Sequence, residues 1–295
     1  MADHGRFGGS WTEVKLGCLR KYLRAYRQIF TKNEKARHFT TWYVDAFAGT
    51  GSRLISTATE SRLFAEVYQD EDTAQYHEGS VRIALNLPDP FDNYLFIEKS
   101  KSRVTKLKGE IQKDFPALFS RCDFRQGEAN EVLQRWCVER NWYKERAVVF
   151  LDPYGMQVEW KTVEKLAKTQ AVDLWYLFPL GVGVSRLLTH DGQIEEAWQR
   201  RLDLVFGTPD WKTRFYEIRH RQTLFGDDEE VIRTATEENI RTFIQERLNG
   251  CFAKTANGLI LRNSKSNPMY LLCFAAANER GAATALRIAQ HILND

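Results

Sequence analysis

The sequence predicts an α/β fold: a mostly parallel sheet flanked by helices, closed by an antiparallel hairpin and carrying helical insertions. Three observations predict it. Short apolar segments alternate with amphipathic ones as far as residue 181, the pattern of βαβ units. The segment RAVVFLDPYG (146–155) is apolar on both faces, as a strand covered by helices on either side must be. The last two apolar segments, GLILR and MYLLCFAAA, are joined by only five or six residues. That link is too short for a parallel crossover, so these strands pair antiparallel.

The elements follow in order along a single domain, 1–295. Residues 1–10 (MADHGRFGGS) are Gly-rich and expected to pack loosely. Ser10 or Thr12 caps a helix that runs to about Phe30, with Val14, Cys18, Leu19, Tyr22, Leu23 and Tyr26 on one face. The first strand spans about 42–47. The distance from there to the next strand, NYLFIE (93–98), exceeds what one crossover helix needs. This implies an insertion over 53–92 that includes a helix near 79–87. A basic helix (100–114), a short strand (123–126) and a helix (129–141) lead to the strand within 146–155. A helix at 160–168 precedes a fifth strand, AVDLWYLFPLG (171–181). Residues 185–250 are expected to form a helical insertion before the last strands, and a helix over 281–293 ends the chain.

Composition narrows the function classes. Hydrophobic content of 43% and charged content of 27% are ordinary for a water-soluble core-forming chain. A net charge of +3 permits an anionic partner without demanding one. Five scattered cysteines without a CxxC pair, and no signal peptide, point to reduced thiols and a cytoplasmic location. The six histidines stand apart, so no zinc site is expected. No apolar stretch reaches the roughly 18 residues of a membrane span.

The candidate site gathers at the carboxyl ends of the parallel strands, where ligands of open α/β sheets bind. In WYVDAFAGTGSR (42–53), Gly49 and Gly51 let the backbone approach a ligand. A dinucleotide motif would have a third glycine at Leu54 and would not place Asp45 before a pyrophosphate. An acid there suits a ligand with a cationic ammonium. Glu98 ends the second strand, placed to accept from ribose hydroxyls. Glu128, with the backbone of Ala129, follows the third and is placed to accept from an adenine amine. Each acid alone is more often a solvated surface residue; their recurrence at successive strand ends favours a site. After the fourth strand stand Asp152, Pro153 and Tyr154, which alternatively form no more than a D-P-Y-G turn.

These motifs carry a resemblance. The outline resembles the Rossmann-like class I S-adenosylmethionine-dependent methyltransferases, and DAFAGTG, with Phe47, resembles the D-x-F-x-G-x-G motif of amino-methyltransferases. Asp152-Pro153-Tyr154 is similar to their (D/N)-P-P-(Y/F) motif, although the second proline is absent and the aromatic comes one position early. Over most of its length the chain resembles the three-Cys-motif partner protein (TcmP) family, through W11-T12…K15-L16, YVDAFAGTG, EGSVRIAL, FIEK, GEANEVL, FLDPYGMQVEW and YLLCFAAAN. It is more distantly similar to RlmJ-type rRNA adenine-N6 methyltransferases. The resemblance implies S-adenosyl-L-methionine as cofactor and methylation of an exocyclic nucleobase amine in nucleic acid, adenine N6 favoured. Asp152 and the Pro153 carbonyl would hold the amine, Tyr154 would stack on the base, and Lys15 would reach the cofactor carboxylate. It also implies a protein partner bearing a three-cysteine motif.

A second region bears on nucleic acid. In 198–225, Arg200, Arg201, Lys212, Arg214, Arg219 and Arg221 alternate with aromatics, as phosphate and base contacts require. Glu195, Glu196, Asp203, Asp210 and Glu217 dilute that charge, which favours helices with aromatics inward and arginines in water. Competing functions are a methyltransferase-fold scaffold without catalysis and a metal-dependent nuclease using Asp152 with Glu159 and Lys161. A C5-cytosine methyltransferase would need a nucleophilic Cys after Pro or Thr, and no cysteine is so placed.

Overall fold

The computed structural model describes residues 11–50, 79–223 and 226–295; the side chains of 221–223 and 226–228 lie outside that description. Ser10, Gly51, residues 53–78 of the expected insertion and the side chain of Arg221 therefore fall outside the described residues.

The chain opens with α1 (Trp11–Lys32). Then come β1 (Thr40–Asp45), α2 (Ser80–Leu85), β2 (Asn93–Glu98), α3 (Lys101–Asp114) and β3 (Cys122–Gln126). They are followed by α4 (Ala129–Glu139), β4 (Glu145–Leu151), α5 (Trp160–Lys168) and β5 (Val172–Phe178). Beyond β5 a π-helical turn, Leu180–Val184, leads to α6 (Glu196–Phe206) and α7 (Trp211–Phe215). The remaining elements are β6 (Tyr216–Thr223), β7 (Gly226–Arg233), α8 (Glu237–Asn249), β8 (Lys254–Thr255), β9 (Leu259–Arg262), β10 (Pro268–Ala276) and α9 (Glu279–Asn294).

Among the described residues the main sheet runs β3-β2-β1-β4-β5-β10-β8, with β9 also on β10. The strands β3, β2, β1, β4 and β5 are mutually parallel. Strand β10 enters antiparallel beside β5, and β9 pairs antiparallel with β10, as the short link requires. This is the order of the Rossmann-like class I methyltransferase sheet, with its reversal between β1 and β4.

Period-two alternation assigns the two faces. Val44, Leu95, Val149 and Leu174 face α4, α5, α6 and α8, where Trp136, Trp160, Leu202 and Phe243 fill the layer. Tyr43, Phe96, Val148 and Trp175 face the opposite layer, closed by Tyr22 of α1, Ile83 of α2, Leu107 of α3 and Ala289 of α9. Residues Ala147 to Leu151 of β4 are wholly inaccessible, which is why that strand is apolar throughout.

Three expectations need correction. Thr12 is not a cap: it lies inside α1, buried, with its hydroxyl unpartnered. The fifth strand stops at Phe178 and does not reach 181, because Pro179 has no N–H to extend the ladder. Residues 185–250 are not all helical, because 216–233 form the separate hairpin β6–β7. Its backbone register sets Arg219 opposite Glu230 and His220 opposite Glu229, whose side chains approach to 3.5 Å, and such cross-strand contacts stabilise a two-stranded ribbon.

Gly207 ends α6 at φ +68°, and a Cβ there would lie 2.4 Å from the Trp160 ring. Gly207→Ala combines a left-handed strain with overpacking of a fully buried indole. It is expected to lower stability by about 1–3 kcal/mol, read as a lower urea midpoint at unchanged slope.

Candidate functional site

Asp45, Glu98 and Asp152 stand at or just past the carboxyl ends of β1, β2 and β4, three adjacent strands flanking the reversal. Helix α1 crosses them antiparallel to the parallel strands. Its Lys15 meets Asp152 beyond β4, its Tyr22 meets Asp173 at the start of β5, and its Arg27 meets Thr41 at the start of β1.

Asp45 is inaccessible. Its Oδ1 accepts from the Phe47 N–H at 3.2 Å, and its Oδ2 accepts from the Ser80 hydroxyl and, at 3.4 Å, from the Tyr43 hydroxyl. Burial pushes its carboxyl up to about 6; the Ser80 hydroxyl opposes that rise and the nearby Asp152 charge adds to it. Among the described residues no cation pairs with it. Phe47 is half-buried against the core, and Gly49 turns the chain at φ +59°. Among the described residues nothing lies within 4 Å of where a Cβ on Gly49 would stand, so none of them fills the space before the turn.

Glu98 is 8% exposed; its Oε1 accepts from the Ser100 N–H at 2.9 Å, with the Arg103 guanidinium 3.6 Å away. Glu128 precedes α4 and is half exposed, paired with Lys99 at 2.7 Å, while Ala129 is buried as the first residue of that helix.

Lys15, which the resemblance implies for a cofactor carboxylate, is engaged by Asp152. Its Nζ lies 2.6 Å from Asp152 Oδ2, with the lysine 2% exposed and its ammonium 5.1 Å from the Trp11 ring centre. Asp152 is itself partly exposed, Pro153 is buried, and Tyr154 is 51% exposed on the rim. The Asp-Pro-Tyr-Gly loop is fastened by Gln157, whose side chain accepts from the Tyr154 N–H and whose carbonyl accepts from Asn130 of α4.

Sequence reasoning missed Ser80, Tyr43, Arg103 and Asn130. Ser80 belongs to the EGSVRIAL segment, and no local pattern there marks it as a partner of Asp45.

The residues of the basic region are divided among α6, α7 and β6. Phe206, Trp211 and Phe215 are buried in the core. Arg200 pairs with Glu196, Arg214 with Glu246 and Arg219 with Glu217, and Lys212 donates to Gln199. Arg201 is exposed on α6, and the acidic run Asp227–Glu230 lies opposite Arg219 and Arg221.

No family model and no curated protein matches the chain. Solved structures similar to it include a Legionella pneumophila protein at 13% identity, covering 83% of this chain and 93% of that one, with TM-score 0.40. An S-adenosylmethionine-dependent methyltransferase from Clostridium acetobutylicum is 8% identical, covering 88% and 92%, with TM-score 0.36. The glycopeptide N-methyltransferase MtfA, complexed with S-adenosyl-L-methionine, is 10% identical, covering 86% of each chain, with TM-score 0.35. The assignment of fold rests on the strand order itself.

Because the folded protein holds the Asp45 proton up to about pH 6, it binds more protons than the unfolded chain between about pH 4 and 6. Stability contributed here is full at low pH and falls as pH rises through that window. Asp45→Asn keeps an acceptor for the Phe47 N–H, and the Ser80 hydroxyl can turn to accept. The variant should gain up to about 3 kcal/mol over the parent near pH 7.5 and nothing near pH 4, measured by urea unfolding at both.

Proposed function

We propose that this chain is an S-adenosylmethionine-dependent methyltransferase acting on an exocyclic amine of a nucleobase in nucleic acid, adenine N6 favoured. The observation that carries the reading is the row of three acids at adjacent strand ends beside a left-handed glycine turn that no described side chain fills.

The residues fit the cofactor. Among the described residues the buried Asp45 carboxylate meets only uncharged donors, and an amino-acid ammonium would supply the counter-charge it lacks. Asp45 and the turn of Phe47 and Gly49 would take the methionine end, Glu98 the ribose, and Glu128 with the Ala129 backbone the adenine. When bound, the cofactor supplies an electrophilic methyl group.

The chain's own groups do the rest. Asp152 and the Pro153 carbonyl accept hydrogen bonds from the target amine and turn its lone pair towards the methyl, which is catalysis by orientation and by preplaced acceptors. Tyr154, already on the rim, offers its ring to an unstacked base. Lys15 keeps a counter-charge on Asp152 until a substrate amine takes its place.

Calorimetry with S-adenosylmethionine tests the reading. Binding is expected at micromolar to millimolar concentration, weakened by about 1–3 kcal/mol in Asp45→Ala and in Glu98→Ala; no binding by the parent protein ends it. Because an ammonium beside Asp45 favours its charged form, binding near pH 6 should release protons, seen as heats that change with buffer ionisation enthalpy. That release should vanish near pH 8, where Asp45 is already ionised.

For the chemistry, Asp152→Ala is expected to abolish methyl transfer to nucleic acid while leaving cofactor affinity within a few fold. Tyr154→Phe should be mild, and Tyr154→Ala should raise KM and lower the rate, with a stacked base lost at about 1–3 kcal/mol. Undiminished transfer by Asp152→Ala would show that its carboxylate does not hold the target amine.

A further inference from the structure

The amino half of α3 concentrates positive charge next to the site. Residues 99–108 read KSKSRVTKLK, with Lys99, Lys101, Arg103, Lys106 and Lys108 and no acid among them. Val104, Leu107 and Ile111 are buried against the core, which turns Lys101, Arg103, Lys106 and Lys108 outward, and all four are exposed. Lys99 is spent on Glu128 at 2.7 Å, whereas Arg103 lies 3.6 Å from Glu98 and Lys106 lies 3.8 Å from Glu110. Lys101 and Lys108 make no ion pair among the described residues.

The first turn of this helix holds no acid, and Lys101 and Arg103 stand there instead. Cations at the amino end of a helix oppose its dipole, so the sequence departs from what helix stability favours. Departures of that kind concentrate where a surface serves a ligand. The surface begins directly after Glu98, at the same edge of the sheet as Asp45 and Asp152.

We propose that this face of α3 docks the sugar–phosphate backbone of the nucleic acid whose base is offered to Asp152; this rests on the methyltransferase reading. Clustered lysines and an arginine, with the hydroxyls of Ser100, Ser102 and Thr105 between them, suit phosphate oxygens. The exposed residues of this face include no aromatic side chain, so the surface positions a strand without reading its bases. The exposed ring, Tyr154, stands at the Asp152 end. The 198–221 region is the weaker candidate because its cations are divided among α6, α7 and β6, whereas Lys101, Arg103, Lys106 and Lys108 share one helix.

The test is fluorescence anisotropy of labelled single-stranded 20-nucleotide RNA and DNA of one mixed sequence, titrated with the full chain over about 50–300 mM salt. Lys101→Gln/Lys108→Gln is compared with Arg200→Gln/Arg201→Gln, each checked for an unchanged melting temperature and unchanged S-adenosylmethionine affinity. The α3 pair should lose roughly tenfold in affinity at low salt, with the slope of log K against log salt reduced by about 1.4, two contacts at about 0.7 each for a single strand. The α6 pair should stay within about twofold. Equal binding by the α3 variant and the parent overturns the proposal. So does a parent that binds neither strand at about 50 mM salt, which would leave an acidic protein as the partner of this face. A reduced slope in a protein that binds no cofactor keeps the docking surface and removes the methyltransferase reading.

Discussion

The site depends on one constraint: the sheet is wound outward from β1 in both directions. Strands β2 and β3 lie to one side of β1, and β4 and β5 to the other, so the carboxyl ends of β1 and β4 stand at the reversal of strand order, where open α/β sheets bind ligands. Register then sets the depth of each group. Asp45 is level with Phe96 and Phe150, so Glu98 and Asp152 reach two residues further out. The result is a floor carboxylate between two wall carboxylates. The strands beneath are inaccessible and close-packed, which holds that geometry without help from a ligand.

What the sequence revealed and what it hid follow from the range of the interactions. The parallel strands β1, β2, β4 and β5 were legible because each is buried on both faces, and burial imposes composition residue by residue. The antiparallel close was legible from a link too short for anything else. Asp45, Glu98 and Asp152 were legible because a strand end is a local event. Their partners were not: Ser80 reaches Asp45 from 35 residues away, and Lys15 reaches Asp152 across 137. No local pattern encodes contacts of that separation. Lys15 also shows how a motif names a residue without naming its partner.

The hairpin β6–β7 was missed for a different reason. Ile218 and Val231 are exposed, so its described side chains imprint no clear period of two on the sequence. Along its backbone register oppositely charged residues face each other, and in one dimension such a run looks like a charged helix. Acids also answer Arg200, Arg214 and Arg219, which reduces the positive character that the arginines alone suggested. Charge counted along a chain and charge presented by a surface are different quantities, and here they differ in sign of consequence.

Helix α1 behaves mechanically as a beam held at several points along its length. Trp11 lies on Tyr270 with ring centres 4.8 Å apart, Tyr22 is bonded to Asp173 at 2.6 Å, and Arg27 is locked to Thr41 and the Asp89 carbonyl. A beam so anchored does not lift at one end without breaking contacts at the others. On the proposed reading, exchange of Asp152 from Lys15 to a substrate amine would need only the four-carbon stem of Lys15 to turn, with the backbone of α1 still held. Such a change would be that of a latch and not of a door, at the pace of side-chain rotation and not of domain motion.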